Sequence, residues 1–312
     1  MSAETIADNI LRPFQLEQSA LRGRLIRLGD TVDVVLTRHA YPPAVSQLLG
    51  EMFVLAATLA GGLKFKGTFS LQTRSDGPIS LMVADCTHDG GMRGYAKFDR
   101  DAVAAVDEPS VPNLLGNGHF AVTVDQDHQS TAYQGLVELE GDSLTDCIHQ
   151  YFRQSEQVKT GMKIAVEHLT DGAGTAFWRA GAVMVQCLPE DESDARDPNR
   201  RSGEALEDWR RTMMLLGTVK DAELIDPDLS PERLLLRLFH QEGVRIFDPQ
   251  PLSFRCRCNR ERVETLLRQF TPEDIDSMRQ EDGGLFVTCE FCNETYRFEQ
   301  PAISRLLGQR TH

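Results

Sequence analysis

Apolar residues recur along the first 187 positions in two rhythms, one of strands and one of helices. Close alternation over 24–28 (Arg-Leu-Ile-Arg-Leu) and 32–36 (Val-Asp-Val-Val-Leu) predicts two opening strands around Gly29-Asp30. Runs at 67–73 and 79–84, joined by Ser75-Asp76-Gly77-Pro78, predict a hairpin, and 92–96 a further strand. A second hairpin falls at 120–124 and 133–139, and strands at 163–167 and 182–188 close the set. Tyr41-Pro42-Pro43 leads into an apolar helix over 43–59. Ser143 caps another, in which Leu144, Cys147, Ile148, Tyr151 and Phe152 are spaced for one buried face. Strands interleaved with helices over 1–187 define an α+β domain.

The pattern then breaks. Residues 189–203 are almost wholly polar and charged and read as a linker expected to be mobile. Two amphipathic helices should follow: one near 204–216 with Leu206, Trp209, Met213 and Leu216 apolar, the other from the N-cap Ser230 through Leu234, Leu235, Leu236, Leu238 and Phe239 to Gly243. They are apolar enough to dock on a larger domain and too few to make a core alone. The stretch 188–250 is therefore a charged linker with helices expected to melt when their neighbour does.

Within 251–312 the signals are short and well punctuated. Asn259 caps a helix carrying Val263, Leu266, Leu267 and Phe270, and Thr271-Pro272 starts a second one that Asp282-Gly283-Gly284 ends. Residues 285–288 read as a strand into Cys289, and 295–298 as its returning partner. Cys256 and Cys258 form C-x-C, and Cys289 and Cys292 form C-x-x-C at the tip of that hairpin. Four soft sulfur ligands suit one tetrahedral Zn²⁺ per chain and leave no coordination position for water or substrate. The site reads as structural or redox-sensing zinc, with a disulfide-only framework as the alternative. Zinc-bound thiolates stay nucleophilic toward oxidants, and a sulfenic acid on one can be resolved by a neighbour two or three residues away. Cys86, Cys147 and Cys187 lie singly and read as small buried hydrophobes.

Bulk properties narrow the function classes. A length of 312 residues suits about two domains, and a net charge of −14 argues against a nucleic-acid partner. The N-terminal residues lack a basic region followed by an apolar one, and Gln47, Gly50 and Glu51 interrupt the most apolar helix, so neither export nor membrane insertion is expected. Paired cysteines in a cytoplasmic chain favour metal or redox chemistry. No lysine follows a glycine, which excludes a phosphate-binding P-loop. Ser155-Glu156-Gln157, the Gly116 and Gly118 turn, and His88 beside Cys86 and Asp85 each invite a catalytic reading. No histidine–acid partner is apparent for Ser155, and the others suit turns.

Taken in order, Arg93-Gly94-Tyr95, Gly116-Asn117-Gly118, the segment 151–157 (Tyr-Phe-Arg-Gln-Ser-Glu-Gln), the segment 180–186 (Ala-Gly-Ala-Val-Met-Val-Gln) and the cysteine pattern following Phe254-Arg255 resemble the heat-shock protein 33 family of redox-regulated holdase chaperones. The likeness covers nearly the whole chain. Lys159, where the family usually has proline, and the tail 299–312 depart from it without touching the cysteines. The resemblance implies a large α+β domain for client binding and dimerisation (1–187), a helical linker region (188–250) and a small four-cysteine zinc domain (251–312). It implies no enzymatic turnover and no ATP. Oxidation would form Cys256–Cys258 and Cys289–Cys292 disulfides, release zinc, unfold the middle segment and expose surface for unfolding client proteins, the active form being a homodimer. Leu206, Trp209, Met213, Leu235, Leu238 and Phe239 are the candidate client contacts. Two rival readings remain, a structural zinc module for a constitutive interaction and a thiol–disulfide oxidoreductase using Cys289 and Cys292.

Overall fold

The computed structural model describes residues 8–19, 21–126, 133–153, 158–187, 202–280 and 282–308. They belong to two compact units, Met1–Phe254 and Arg255–His312. The first unit opens with β1 (Ile10–Leu16), β2 (Leu21–Leu28), α1 (Asp30–Arg38) and α2 (Pro43–Ala60). A meander follows as β3 (Gly67–Ser75), β4 (Ile79–Thr87) and β5 (Gly91–Phe98), then α3 (Arg100–Ala104), α4 (Val111–Leu115), β6 (Gly118–Gln126) and β7 (Tyr133–Glu138). After α5 (Leu144–Tyr151) come the long strands β8 (Thr160–Thr170) and β9 (Ala176–Cys187). The described chain resumes in α6 (Ser202–Gly217), α7 (Asp221–Ile225) and α8 (Pro231–Phe239), and the unit ends in β10 (Val244–Ile246), β11 (Gln250–Pro251) and β12 (Ser253–Phe254).

The strands make two sheets. One runs β10-β1-β2-β9-β8 with β11 also beside β1, the other β12-β5-β4-β3-β6-β7. All neighbours are antiparallel except β12, which lies parallel to β5. Helix α2 packs on strands of both sheets, and 14 of its 18 residues are buried. Its length and apolarity alone would suit a bilayer, and burial inside the protein explains them instead. The strand register assigns the two faces of β2. Ile26 and Leu28 join the core around α2, while Leu21 and Leu25 face the opposite way and meet Leu216, Leu224, Leu234, Leu235, Leu238 and Phe239.

That outer layer is held by more than apolar contact. Arg27, fully buried, donates from Nε to the Leu224 carbonyl at 3.2 Å, from Nη2 to that of Glu223 at 3.2 Å, and from Nη1 to Leu229. Arg179 Nε donates to the Ile225 carbonyl at 2.6 Å, and its guanidinium pairs with Asp8. Two guanidinium groups on the sheet thus satisfy carbonyls at and beyond the C-terminal end of α7, where helical partners run out.

One strand expectation is corrected. Residues 32–36 lie in helix α1: Thr31, Val32, Val35 and Leu36 are the buried positions, a stripe of helical period. Asp30 and Asp33 sit in its first turn, where the helix dipole favours acids, and Asp33 Oδ1 accepts from the Trp178 amide at 2.8 Å. Packing against β9 overrides the β-branched bias of the run. Strand β1, interrupted in sequence by Pro13, has no counterpart among the predicted strands. The predicted linker 189–203 lies outside the described residues except Ser202 and Gly203, which begin α6.

The second unit contains α9 (Arg260–Leu267), α10 (Pro272–Ser277), the hairpin β13 (Leu285–Thr288) and β14 (Thr295–Phe298), and α11 (Gln300–Gly308). Its core consists of Val263, Leu267, Ile275, Leu285, Phe298 and Ile303. Ile303 comes from α11, so the segment expected as a tail contributes to this core. The Arg260 guanidinium covers the Phe298 ring at 4.4 Å.

Candidate metal centre

Both cysteine pairs sit where local hydrogen bonds fix the backbone. Cys256 and Cys258 occupy the segment between β12 and α9, which belongs to no helix or strand. Asn259 Oδ1 accepts from the Arg262 amide at 2.8 Å as the N-cap, and Arg262 Nη1 donates to the Arg257 carbonyl at 2.6 Å, so the residue between the cysteines is tied to the helix start. Cys289 and Cys292 occupy the turn between β13 and β14. The Cys289 amide donates to the Glu294 carbonyl at 2.9 Å and the Asn293 amide to the Cys289 carbonyl at 2.8 Å. Asn293 takes the left-handed conformation (φ 58°) that lets the turn close, a role asparagine tolerates well.

These turns bring the four Sγ atoms together, every pair within 4.8 Å. Cys256 lies 3.3 Å from Cys258 and 3.7 Å from Cys289, and Cys258 lies 3.2 Å from Cys292. A tetrahedral ion with zinc–sulfur bonds of about 2.3 Å needs sulfur–sulfur edges of about 3.8 Å, so small shifts seat the ion. Among the described residues this is the only cluster of three or more potential metal ligands of this kind. The donor set is all sulfur, which selects a soft, tetrahedral ion over magnesium or calcium.

The protonation pattern fits the same use. Burial raises the Cys256 and Cys292 thiols. At Cys258 burial acts in the same sense, yet hydrogen bonds from Tyr296 and the neighbouring thiols outweigh it and hold the group below its ordinary value. Tyr296 Oη donates to Cys258 Sγ at 3.2 Å, and donating to that sulfur raises the phenol in turn. Of Cys256, Cys258 and Cys292, Cys258 is thus the one that ionises most readily, and a divalent cation bound by the cluster would displace the remaining protons. Tyr296 is a site residue that sequence reading missed. It lies on the returning strand, and only hairpin geometry shows that its hydroxyl reaches a cysteine 38 positions earlier.

The remaining candidates resolve into structural roles or separate places. Cys86 and Cys147 are buried, and burial pushes the Cys86 thiol up to about 12. Cys187, at the end of β9, is only half-buried, which corrects its expected core position. Asp85 beside Cys86 accepts from Ser70 and pairs with Arg93 at 2.8 Å, and His88 Nδ1 accepts from the Gly67 amide at 3.3 Å. Gly116, with φ 66°, belongs to a turn in which Asn117 donates to Asp76 at 2.7 Å. Ser155 lies outside the described residues. Of the candidate client contacts, Leu206 is exposed, Trp209 and Met213 are half-buried, and Leu235, Leu238 and Phe239 are buried against the first sheet.

Fold and site together define a class of protein: an α+β body with helices laid on one sheet, followed by a small unit organised around four cysteines. The family profile described as Hsp33 protein matches residues 8–299. A protein of Caulobacter vibrioides called 33 kDa chaperonin is 40% identical over 300 residues, covering 95% of this chain and 96% of its own. The 33 kDa chaperonin of Ectopseudomonas mendocina is 37% identical over 296 residues, covering 95% and 94%. The crystal structure of a 33 kDa chaperonin from Thermotoga maritima shares the fold, with a TM-score of 0.74 at 21% identity over 96% of this chain and 98% of that one. The chain belongs to the Hsp33 family.

Proposed function

We propose that this protein is a redox-regulated, ATP-independent holdase chaperone of the cytoplasm, without enzymatic turnover. Cys256, Cys258, Cys289 and Cys292 hold one zinc ion in the reduced state. The convergence of their four sulfurs in a unit with a core of six side chains is the observation that carries the reading. So small a core needs a staple, and structural zinc contributes roughly 10–16 kcal/mol in small zinc modules. Two equivalents of a peroxide accept four electrons from the four thiolates, leaving water and the Cys256–Cys258 and Cys289–Cys292 disulfides. A disulfide sulfur is a poor zinc ligand, so the ion leaves and the unit loses its staple. The helices of the 202–239 region then release, uncovering Leu235, Leu238 and Phe239 with the sheet beneath them as surface for unfolding clients. The oxidised form acts as a homodimer, with neither nucleic acid nor membrane as a partner.

Zinc release on treatment of the reduced protein with peroxide at mildly raised temperature, read with a colorimetric chelator, tests this directly when client aggregation is followed in the same samples. Zinc should leave as aggregation is suppressed, and dithiothreitol with zinc should reverse both. Client protection that ignores oxidation would instead indicate a constitutive zinc module, and catalytic turnover with a dithiol an oxidoreductase.

A further inference from the structure

Strand β2 places Arg22, Arg24, Ile26 and Leu28 at alternate positions, so all four share one face. Ile26 and Leu28 are fully buried in the core around α2. The two arginines continue that stripe to a cavity of about 410 Å³ beyond the C-terminal end of α2. Phe65, Phe69, Tyr151 and Phe152 give it an aromatic wall. A volume of this order suits a small organic ligand.

Among the described residues, the charges lining this cavity are unbalanced. Arg24 is 7% exposed, and of its five N–H donors Nη1 reaches Gln186 Oε1 at 3.2 Å. Gln186 is itself buried and donates from Nε2 to Thr160 Oγ1 at 3.1 Å, which turns its amide oxygen toward the guanidinium. Arg22 Nε is buried without a hydrogen-bond partner, and Lys64 adds a third cation to the lining. Among the described residues no carboxylate pairs with either arginine. Burial, with Arg22 alongside, pulls the Arg24 guanidinium down to about 10. Gly62 leaves room for this group, since a Cβ there would stand 2.5 Å from Arg24 Nη2. Buried cations without an anion are costly, whereas a carboxylate accepting from both would form charge-assisted hydrogen bonds.

We propose that this cavity binds a small organic acid, its carboxylate held by Arg24 and Arg22 and its apolar body against the four aromatic rings. The site lies wholly in the first unit and is separate from the cysteine cluster. An inorganic anion would leave the aromatic wall unfilled, and a neutral apolar molecule would leave the guanidinium groups without an acceptor.

Calorimetric titration of the full-length, zinc-loaded chain with octanoate tests the assignment, with 1-octanol and inorganic phosphate as the two matched probes. Octanoate should saturate at one per chain with Kd below about 1 mM, and each matched probe should bind about tenfold more weakly or worse. Arg24→Met should weaken octanoate at least about tenfold while the melting temperature stays level or rises. Absence of saturable octanoate binding overturns the proposal, as does equal affinity for octanol, equal affinity for phosphate, or an unaffected Arg24→Met. Should that variant fail to fold, Phe65→Ala takes its place: loss of octanoate affinity supports the site, and unchanged affinity overturns it.

Discussion

Glu51 shows how one side chain can set a pH dependence. It is the one charged residue on helix α2, where burial pushes its carboxyl up to about 7 against the opposing hydrogen bond from Gln47. The folded state therefore holds this proton more tightly than the unfolded chain does. The associated stability is complete below the ordinary carboxylate value and is lost as pH rises through about 7. Replacing Glu51 with glutamine should leave stability near pH 4 almost unchanged and raise it at pH 8, by about 3 kcal/mol at most. Urea melts at the two pH values check the difference. Tyr296 sets the electrostatics at the other end of the chain. Tyr296→Phe removes the donor to Cys258 and keeps the ring, so zinc affinity should fall roughly tenfold in a chelator competition.

The helices of the 202–239 region differ in how firmly they are held. Helix α8 buries Leu234, Leu235, Leu238 and Phe239, a gross apolar contribution on the order of 8 kcal/mol before entropy is counted. The segment just before it is clamped by Arg27 and Arg179. Helix α6 has Leu216 buried near its C-terminal end, with Trp209 and Met213 half-buried and Leu206 and Met214 exposed. In the reduced protein, amide exchange over 204–217 should therefore outpace that over 231–239, and mass spectrometry of peptic fragments measures the order. Equal protection would show that the helices open as one. Both were legible in the sequence because their apolar spacing and the Ser230 cap are local signals. So was the cysteine cluster, whose close pairs flank predicted caps and a hairpin. The arginine clamp was not legible, since nothing near Arg27 indicates that its partners lie almost two hundred residues later. Helix α1 misled for a related reason: a run rich in valine reads as strand until the sheet it packs against is known.

The two units should respond differently to chelation. The first has a core extending through both sheets and contains none of the four clustered cysteines, whereas the second has six core side chains and all of them. Removing zinc from the reduced protein should unfold 255–308 and loosen the helices of 202–239, while the core around α2 in the first unit keeps its own melting transition, which two-transition calorimetry with and without chelator resolves. The strands that follow α8 bear on what happens next. Ile246 pairs with Phe14, Pro251 with Ile10 and Phe254 with Met92, so the chain is stitched to both sheets immediately after the helices. Upstream, Cys187 is fixed opposite Leu21. Helices released between these anchors would form a loop closed at both ends, the 56 residues 188–243. Such a loop stays near its own docking face at an effective concentration in the millimolar range. On the proposed function, an unfolding client would have to outcompete this internal ligand, so weak, transient partners should be rejected and the helices should return once a client leaves.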